Sequence, residues 1–243
     1  MKTFRHQRSL LVPLLALLGA CRGPAPERLS PPVEERSVRP AINDDFLGED
    51  VDIAEYIQRF ERETREIAAA RMAIVDAIDL RRGMEVADVG SGTGLFLDEL
   101  ARRVGQSGRV YALDIAPAFI EHLHARVQNE NLDPPVDVRL SKEKSVDLPV
   151  RSVDVVFVCD TYHHFEYPKS MLWSIFRSLR PGGELIVVDF ERIPGETRKW
   201  LLDHVRANKQ TFRAEIEAAG FEFVEEVQIE GLVENYFLRF SRL

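Results

Sequence analysis

Short apolar strands alternate with amphipathic helical segments over residues 84–190. The strand segments read "EVADVG", "VYALDIA", "VDVRL", "VDVVFVCD" and "GELIVVDF", and helical segments separate most of them. Such alternation requires crossover connections, so it predicts a parallel sheet with helices on both faces. After residue 220, two more strands are separated only by a short turn near Gly231. These two must pair antiparallel, because parallel neighbours need a crossover of about a dozen residues or more.

The composition limits the number of domains and the class of partner. A chain of 243 residues is long enough for one large domain with its own core. Its formal net charge of -8 leaves no general excess of Lys and Arg to neutralise phosphates, so we expect no nucleic acid, and small molecules or proteins are better candidate partners. The two cysteines, Cys21 and Cys159, are too few for a disulfide framework.

The N-terminus has the layout of an export signal. Residues 1–20 combine a basic start with an apolar run that is too short to span a membrane as a helix. The ending "LGAC" resembles the lipobox of bacterial lipoproteins, so Cys21 is a predicted lipidation site and the chain is predicted to be a membrane-anchored lipoprotein on the periplasmic side. The alternative is a fortuitous apolar leader on a cytoplasmic enzyme.

Two further segments precede the predicted main domain of residues 81–243. Residues 21–50 are rich in Pro and charge, which indicates an extended tether. Residues 51–80 carry apolar side chains at helical spacing, which predicts one long helix or two consecutive ones. We interpret this helical segment as a lid.

A glycine-rich turn follows the first predicted strand. In "ADVGSGTGLF", Gly90, Gly92 and Gly94 lie between that strand and a helix, where the backbone can approach a ligand closely. Asp114 ends the second strand, in the position where a carboxylate accepts hydrogen bonds from both ribose hydroxyls. The charge of Asp88 would repel a pyrophosphate but suits a ligand with an ammonium and a sulfonium. The pattern points away from NAD and toward S-adenosylmethionine.

From about Leu80 to the C-terminus, the chain resembles the class I S-adenosylmethionine-dependent methyltransferases. The matching motifs are "VADVGSGTG", "YALDIAP", "LPVRSVDVVFVCDTYHHF" and "LRPGGELIVVDF", in the order typical of that family. The resemblance implies an α/β fold, a Rossmann-like doubly wound sheet of seven mostly parallel strands with a C-terminal antiparallel pair. It implies S-adenosylmethionine as the methyl-donor cosubstrate and needs no metal. The predicted cofactor-binding residues are Asp88, Gly90, Ser91, Gly92, Gly94, Asp114, Ile115, Glu143 and Asp160.

The resemblance assigns parts of the cofactor to these residues. Asp88 and the glycine loop are expected beside the methionine part, Asp114 at the ribose, and Ile115 against the adenine. One position departs from the family pattern, because many relatives have an acidic residue where this chain has Lys144. A lysine cannot accept a hydrogen bond from the adenine amino group. Either Glu143 takes that role or the backbone alone reads the adenine edge.

The stretch "CDTYHHFEYP" follows the fourth predicted strand. Ligands of parallel sheets bind beyond the carboxyl ends of the strands, so Asp160, Tyr162, His163 and His164 are expected to form the wall of the acceptor pocket and are the candidate catalytic residues. An imidazole titrates near neutral pH, so either histidine is a candidate general base, and a role in shaping the pocket is the alternative. A metal site is not expected, because adjacent histidines in a turn project in different directions and no second Cys and His cluster has ligand spacing.

Together these features favour an enzyme that transfers a methyl group to a small acceptor, such as a thiol, a phenol or quinone, or a metalloid. The chemistry requires alignment, exclusion of water and removal of a proton from an OH, SH or NH acceptor. Tyr56 of the predicted lid is expected to cover the same edge of the sheet. The alternatives are a non-catalytic S-adenosylmethionine-binding lipoprotein on this fold and a nicotinamide oxidoreductase, which the glycine spacing and Asp88 disfavour.

Overall fold

The computed structural model describes residue 32 and residues 34–62, 65–132 and 136–243. The predicted signal segment 1–20 and the predicted lipidation site Cys21 lie outside the described residues, and both remain predictions. Within the described part of the chain, no helix has the length and apolar character needed to cross a membrane.

The described residues form one sheet of seven strands. The strands are β1 (Glu85–Val89), β2 (Arg109–Asp114), β3 (Val136–Leu140), β4 (Val153–Cys159), β5 (Leu179–Phe190), β6 (Phe221–Val227) and β7 (Asn235–Arg242). Their order is β3-β2-β1-β4-β5-β7-β6, with β1 to β5 parallel and β7 antiparallel to both of its neighbours. The predicted fold class is confirmed. The strand order reverses between β1 and β4, and open α/β sheets bind ligands beyond the carboxyl ends of the strands at such a point.

Helices cover both faces of the sheet. They are α1 (Asp44–Leu47), α2 (Ile53–Phe60), α3 (Glu66–Ala69), α4 (Arg71–Ile78), α5 (Leu97–Val104), α6 (Pro117–Glu130), α7 (Pro168–Ser178), α8 (Lys199–His204) and α9 (Lys209–Ala218). Buried side chains of α4, α5 and α6 join one apolar cluster, and those of α7, α8 and α9 join another. Successive strand residues point to opposite faces, so Val155 and Phe157 of β4 belong to the first cluster and Val156 and Val158 to the second.

The described part of the N-terminal segment packs against the domain. The carboxylate of Glu35 accepts hydrogen bonds from the backbone N–H groups of Lys169 and Ser170, both at 2.8 Å. These groups lie in the first turn of α7, where free N–H groups favour a negative charge. The N–H of Val38 donates to the carbonyl oxygen of Glu166 at 2.9 Å. The segment 21–50 thus contacts the domain at Glu35 and Val38, and its role as a tether remains a prediction.

The predicted lid consists of three short helices, α2, α3 and α4, where one or two longer helices were predicted. Arg65, which immediately precedes α3, lies at the carboxyl end of β4, where its guanidinium pairs with Asp160. Phe60, at the end of α2, lies 3.7 Å from where a Cβ atom on Gly92 would stand. The break in the helix thus places α2 over the glycine loop.

Candidate active site

A cavity of about 610 Å³ lies beyond the carboxyl ends of β1, β2 and β4. Small-molecule sites typically enclose about 300–1,000 Å³. Most of the predicted site residues line this cavity, namely Asp88, Gly90, Ser91, Gly92, Asp114, Ile115, Glu143, Asp160, His163 and His164. The lid residue Tyr56 lines it as well. The fold therefore brings the glycine loop and the stretch after β4 to one site.

The glycine loop is shaped by two close approaches of the backbone. Gly90 has a φ of 76°, and a Cβ atom there would overlap the side chain of Thr161. Gly94 has a φ of 87°, and a Cβ atom there would lie 2.9 Å from Leu123 Cδ2. Left-handed backbone of this kind disfavours residues with a Cβ atom. Gly94 is outside the cavity lining, so its observed contact is the packing of α6 against the loop.

Asp114 holds the glycine loop from the end of β2. Its Oδ2 accepts a hydrogen bond from the Gly92 N–H and its Oδ1 accepts one from the Ala116 N–H, both at 2.9 Å. Each carboxylate oxygen can accept a second hydrogen bond, so a ribose diol can still bind this side chain. Burial raises the pKa of Asp114 above its usual value, and its three backbone hydrogen bonds oppose that rise.

Asp88 is a buried acid at the end of β1, with 3% of its surface exposed. Burial raises its pKa to about 7, and the nearby Asp114 carboxylate also raises it. Within the described residues, Asp88 makes no salt bridge to a basic side chain. A cationic ligand in the cavity would supply the missing charge and favour the ionised carboxylate.

The adenine end of the predicted site contains Glu143 and Ile115 in the lining. Lys144 points elsewhere, with its Nζ atom 4.2 Å from the centre of the Tyr167 ring. Ser141, which follows β3 and is buried, also lines the cavity and was not predicted. Its hydroxyl offers a donor and an acceptor at this end.

Asp160 lies at the centre of the cavity wall in a left-handed backbone conformation, with a φ of 48°. Its Oδ2 pairs with the Arg65 guanidinium, and its Oδ1 accepts a hydrogen bond from Asn235 Nδ2 at 2.5 Å. Burial raises its pKa to about 7; Arg65 opposes that rise and Asp189 adds to it. A carboxylate with such a pKa can take up a proton near neutral pH.

His163 is held in the cavity wall by Asp189. The Nδ1 atom of His163 lies 2.8 Å from Asp189 Oδ1, and its backbone N–H donates to Asp189 Oδ2 at 3.1 Å. Both side chains are almost completely buried. Burial lowers the pKa of His163 well below its usual range, and the neighbouring His204 lowers it further.

His164 contacts two residues from distant parts of the chain. Its Nδ1 atom lies 3.2 Å from Asn43 Oδ1, and its Nε2 atom lies 3.2 Å from His204 Nε2. Burial lowers the pKa of His164 to about 2, and His163 and His204 lower it further. His163 and His164 are therefore neutral and only weakly basic at pH 7. As a candidate general base, Asp160 has the better-matched pKa.

The expectation that the adjacent histidines diverge is wrong. The ring centres of His163 and His164 lie 4.3 Å apart, and the ring of His204 lies 5.0 Å from each of them. Both histidines belong to a 3₁₀ turn that comprises residues 162–164. His204 comes from the end of α8, and no motif in the sequence indicated its role.

Tyr162 does not line the cavity, which corrects its predicted place in the acceptor wall. Its side chain is fully buried in the apolar cluster that also contains the buried side chains of α7, α8 and α9. The ring packs on Phe165 and Phe212, and the hydroxyl donates to Glu215 Oε2 at 3.0 Å. This contact supports the core.

Aromatic side chains of α1, α2 and α6 line the cavity. Phe119 packs on Phe46, Tyr56 and Phe60, and Tyr56 packs on Phe46 and Phe60, with ring centres 5.3 to 6.4 Å apart in these five pairs. Phe46 also packs edge-on against His164 at 5.3 Å. Apart from Tyr56, these residues were not predicted, because they come from separate elements and share no sequence pattern.

Comparison with known proteins identifies the domain type. The family model described as "Methyltransferase domain" matches residues 87–187. Among curated proteins, the ubiquinone/menaquinone biosynthesis C-methyltransferase UbiE of Hydrogenovibrio crunogenus is 29% identical over 119 residues, which is 49% of this chain and 47% of that protein. The match therefore spans about half the length of this curated relative.

Solved structures share the fold. A SAM-dependent methyltransferase from Aquifex aeolicus superposes with a TM-score of 0.70 at 23% identity and covers 80% of this chain and 100% of that one. The [4+2]-cyclase SpnF superposes with a TM-score of 0.60 at 17% identity and covers 72% of this chain and 81% of that one. At such identities the likeness establishes the fold alone.

Proposed function

We propose that this chain, which carries a class I S-adenosylmethionine-dependent methyltransferase domain, methylates a small phenol or quinone-type ring. The observation that carries this proposal is that one cavity joins the acidic strand ends of β1 and β2 to an aromatic wall and to Asp160. Methyl donor and acceptor must meet in one space, and the residues expected to contact each of them line this cavity.

The residues at the strand ends suit S-adenosylmethionine. Asp88 is a buried acid without a basic partner among the described residues, as expected beside an ammonium and a sulfonium. Asp114 retains acceptor capacity for the ribose, and Ile115 provides an apolar surface for the adenine. When bound, S-adenosylmethionine supplies an activated methyl group. The protein then has to align the acceptor and remove its proton.

The acceptor end favours a planar ring. Aromatic pairs prefer tilted or edge-to-face contacts, and the Phe46, Tyr56, Phe60 and Phe119 cluster offers such contacts to a bound ring. A relative named for ubiquinone and menaquinone biosynthesis supports the same acceptor class. Asp160, with a pKa of about 7, is the candidate to take the proton of a hydroxyl group. A thiol or a metalloid is the alternative acceptor.

The test is a transfer assay with labelled methyl groups on a panel of phenols, hydroquinones, thiols and arsenite. We expect label in a phenol or hydroquinone, and no label with Asp114→Ala, which loses the bond to the Gly92 N–H. Calorimetry measures the affinity of the wild type and of Asp114→Ala for S-adenosylmethionine. Tight binding without transfer to any acceptor would support the alternative of a non-catalytic binding protein, and absence of binding would refute both.

We also propose that the chain is a lipoprotein anchored through Cys21, on the support of its basic start, apolar run and "LGAC" ending. Cell fractionation with labelled fatty acid tests this. Label in the membrane fraction should disappear in Cys21→Ser, and an unlabelled wild type would assign the enzyme to the cytoplasm.

A further inference from the structure

Three histidines converge at the acceptor end of the cavity. His163 and His164 lie in the turn after β4, and His204 lies at the end of α8, so the fold joins residues that are 40 positions apart. One ring nitrogen of each histidine lies within 4.8 Å of the other two. All three residues line the cavity.

The spacing of these nitrogens suits a tetrahedral metal ion. With Zn–N bonds of about 2.0–2.1 Å, two tetrahedral ligand atoms lie about 3.3 Å apart. The Nε2 atoms of His164 and His204 are separated by 3.2 Å. The ligand nitrogen of His163 lies within 4.8 Å of both.

The other ring nitrogens of two of these histidines are held by buried polar partners. Asp189 Oδ1 accepts from His163 Nδ1 at 2.8 Å, and Asn43 Oδ1 faces His164 Nδ1 at 3.2 Å. Asn43 is oriented by its Nδ2, which donates to the His164 carbonyl oxygen at 3.1 Å. With a proton on each Nδ1 atom, the lone pairs of both Nε2 atoms are free for a ligand. Metal-binding histidines almost always have such an outer partner.

We propose that His163, His164 and His204 bind a divalent transition-metal ion, Zn²⁺ in the first instance. Neutral imidazoles are the preferred ligands of Zn²⁺ and related ions. Three protein ligands leave a fourth position, as in catalytic rather than structural zinc sites. That position faces the cavity. On the basis of the proposed function, it binds the oxygen of the phenolic acceptor and lowers the pKa of that hydroxyl.

Metal binding can be measured without enzymatic turnover. The full chain is treated with a chelator and titrated with Co²⁺ as a spectroscopic probe, and then with Zn²⁺ in competition. We expect one equivalent of Co²⁺, with the visible absorption of a four-coordinate site. His204→Ala should weaken Co²⁺ binding by more than about a hundredfold, and Asn43→Ala by about tenfold to a hundredfold, the usual effect of removing an outer partner.

The matched control is His124→Ala on the exposed surface of α6, which should bind Co²⁺ as the wild type does. His204 is only partly buried, so His204→Ala should fold even if a variant of the buried His163 does not. The proposal is refuted if the wild type binds no Co²⁺ at micromolar concentration, or if His204→Ala binds it equally well.

Calorimetry with S-adenosylmethionine on the metal-free chain separates this proposal from the proposed function. Retained S-adenosylmethionine binding with no Co²⁺ binding refutes the metal site and leaves the proposed function standing. Stoichiometric Co²⁺ binding without S-adenosylmethionine binding supports the metal site and refutes the proposed function.

Discussion

The cofactor end and the acceptor end of the cavity differ in the sequence separation of the residues that contact each other there. Asp114 accepts hydrogen bonds from residues 22 and 2 positions away. At the acceptor end, the contacting residues are farther apart in sequence: 75 positions for Asn235 and Asp160, 95 for Arg65 and Asp160, and 121 for Asn43 and His164. The first end is built from adjacent loops at one edge of the sheet, whereas the second also draws on residues of the N-terminal segment and of β7.

The two buried acids at these ends illustrate the same difference. Burial raises the pKa of both Asp88 and Asp160 to about 7. Asp160 has a protein cation, Arg65, beside it, whereas Asp88 has no salt bridge within the described residues. We infer that Asp88 is complementary to a cationic ligand and that Arg65 of the lid influences the charge state of Asp160. Four predictions test this division, from the largest expected effect to the smallest.

Asp160→Asn should lower kcat by about 10²–10⁴-fold, the usual contribution of a general base, and leave the affinity for S-adenosylmethionine nearly unchanged. The measurement is steady-state kinetics on the best acceptor, with calorimetry for the cofactor. Asp45→Asn is the control, since Asp45 is another carboxylate in the cavity wall and lies on α1. Full turnover by Asp160→Asn would exclude Asp160 as the base, and separate His163→Ala and His164→Ala variants would then test the histidines.

Gly90→Ala should weaken S-adenosylmethionine binding by about a hundredfold, equivalent to about 3 kcal/mol. The added Cβ atom would overlap Thr161 and displace the loop that lines the cavity. Gly182→Ala is the matched control, because Gly182 has a similar φ of 78° with nothing within 4 Å of an added Cβ atom. Calorimetry measures the S-adenosylmethionine affinity of both variants and so separates the effect of the overlap with Thr161 from the effect of a strained backbone. Adding Thr161→Ala to Gly90→Ala should recover part of the affinity, and no recovery would contradict the overlap argument.

The affinity for S-adenosylmethionine should rise with pH, by at most about tenfold per pH unit below pH 7. The pKa of Asp88 is raised to about 7, so the carboxyl group is neutral below that pH and ionised above it. Only the ionised form attracts a cationic ligand. Calorimetry from pH 5.5 to 8.5 (about three units) measures the slope. Asp88→Asn should flatten it, and Asp160→Asn should not; the reverse pattern would assign the slope to Asp160.

Arg65→Ala should raise KM for the acceptor by about threefold to tenfold, in line with the loss of a charge-assisted hydrogen bond worth about 1 kcal/mol. Without Arg65, the pKa of Asp160 moves further above its usual value, so the acid limb of the pH-rate profile shifts to higher pH. Hydrogen exchange in α2 should accelerate, since Arg65 also donates to the Phe60 carbonyl oxygen. Arg81→Ala removes an exposed ion pair to Asp79 and should change none of these. Unchanged exchange in α2 would show that Arg65 does not hold the lid.

The sequence indicated which residues gather at the strand ends, because its signals there are local. A glycine loop after an apolar strand and an acid at the end of the next strand lie at fixed offsets, and parallel strands bring their ends to one edge. Asp88, Gly90 and Asp114 could be named for that reason. The predicted place of Tyr162 was wrong, because its ring packs on Phe165 and Phe212 in the core, and sequence order does not indicate which residue of the turn faces the core.

Local periodicity and turn chemistry by themselves determined the mostly parallel sheet, its antiparallel end and the glycine loop. Only the tertiary structure decided which groups complete the acceptor end: Arg65 and Asn235 on Asp160, and Asn43 and His204 on His164. The physical reason is that packing of helices onto a sheet edge sets these contacts. Such packing depends on the summed burial of many apolar side chains, and no single residue spacing in the chain records it.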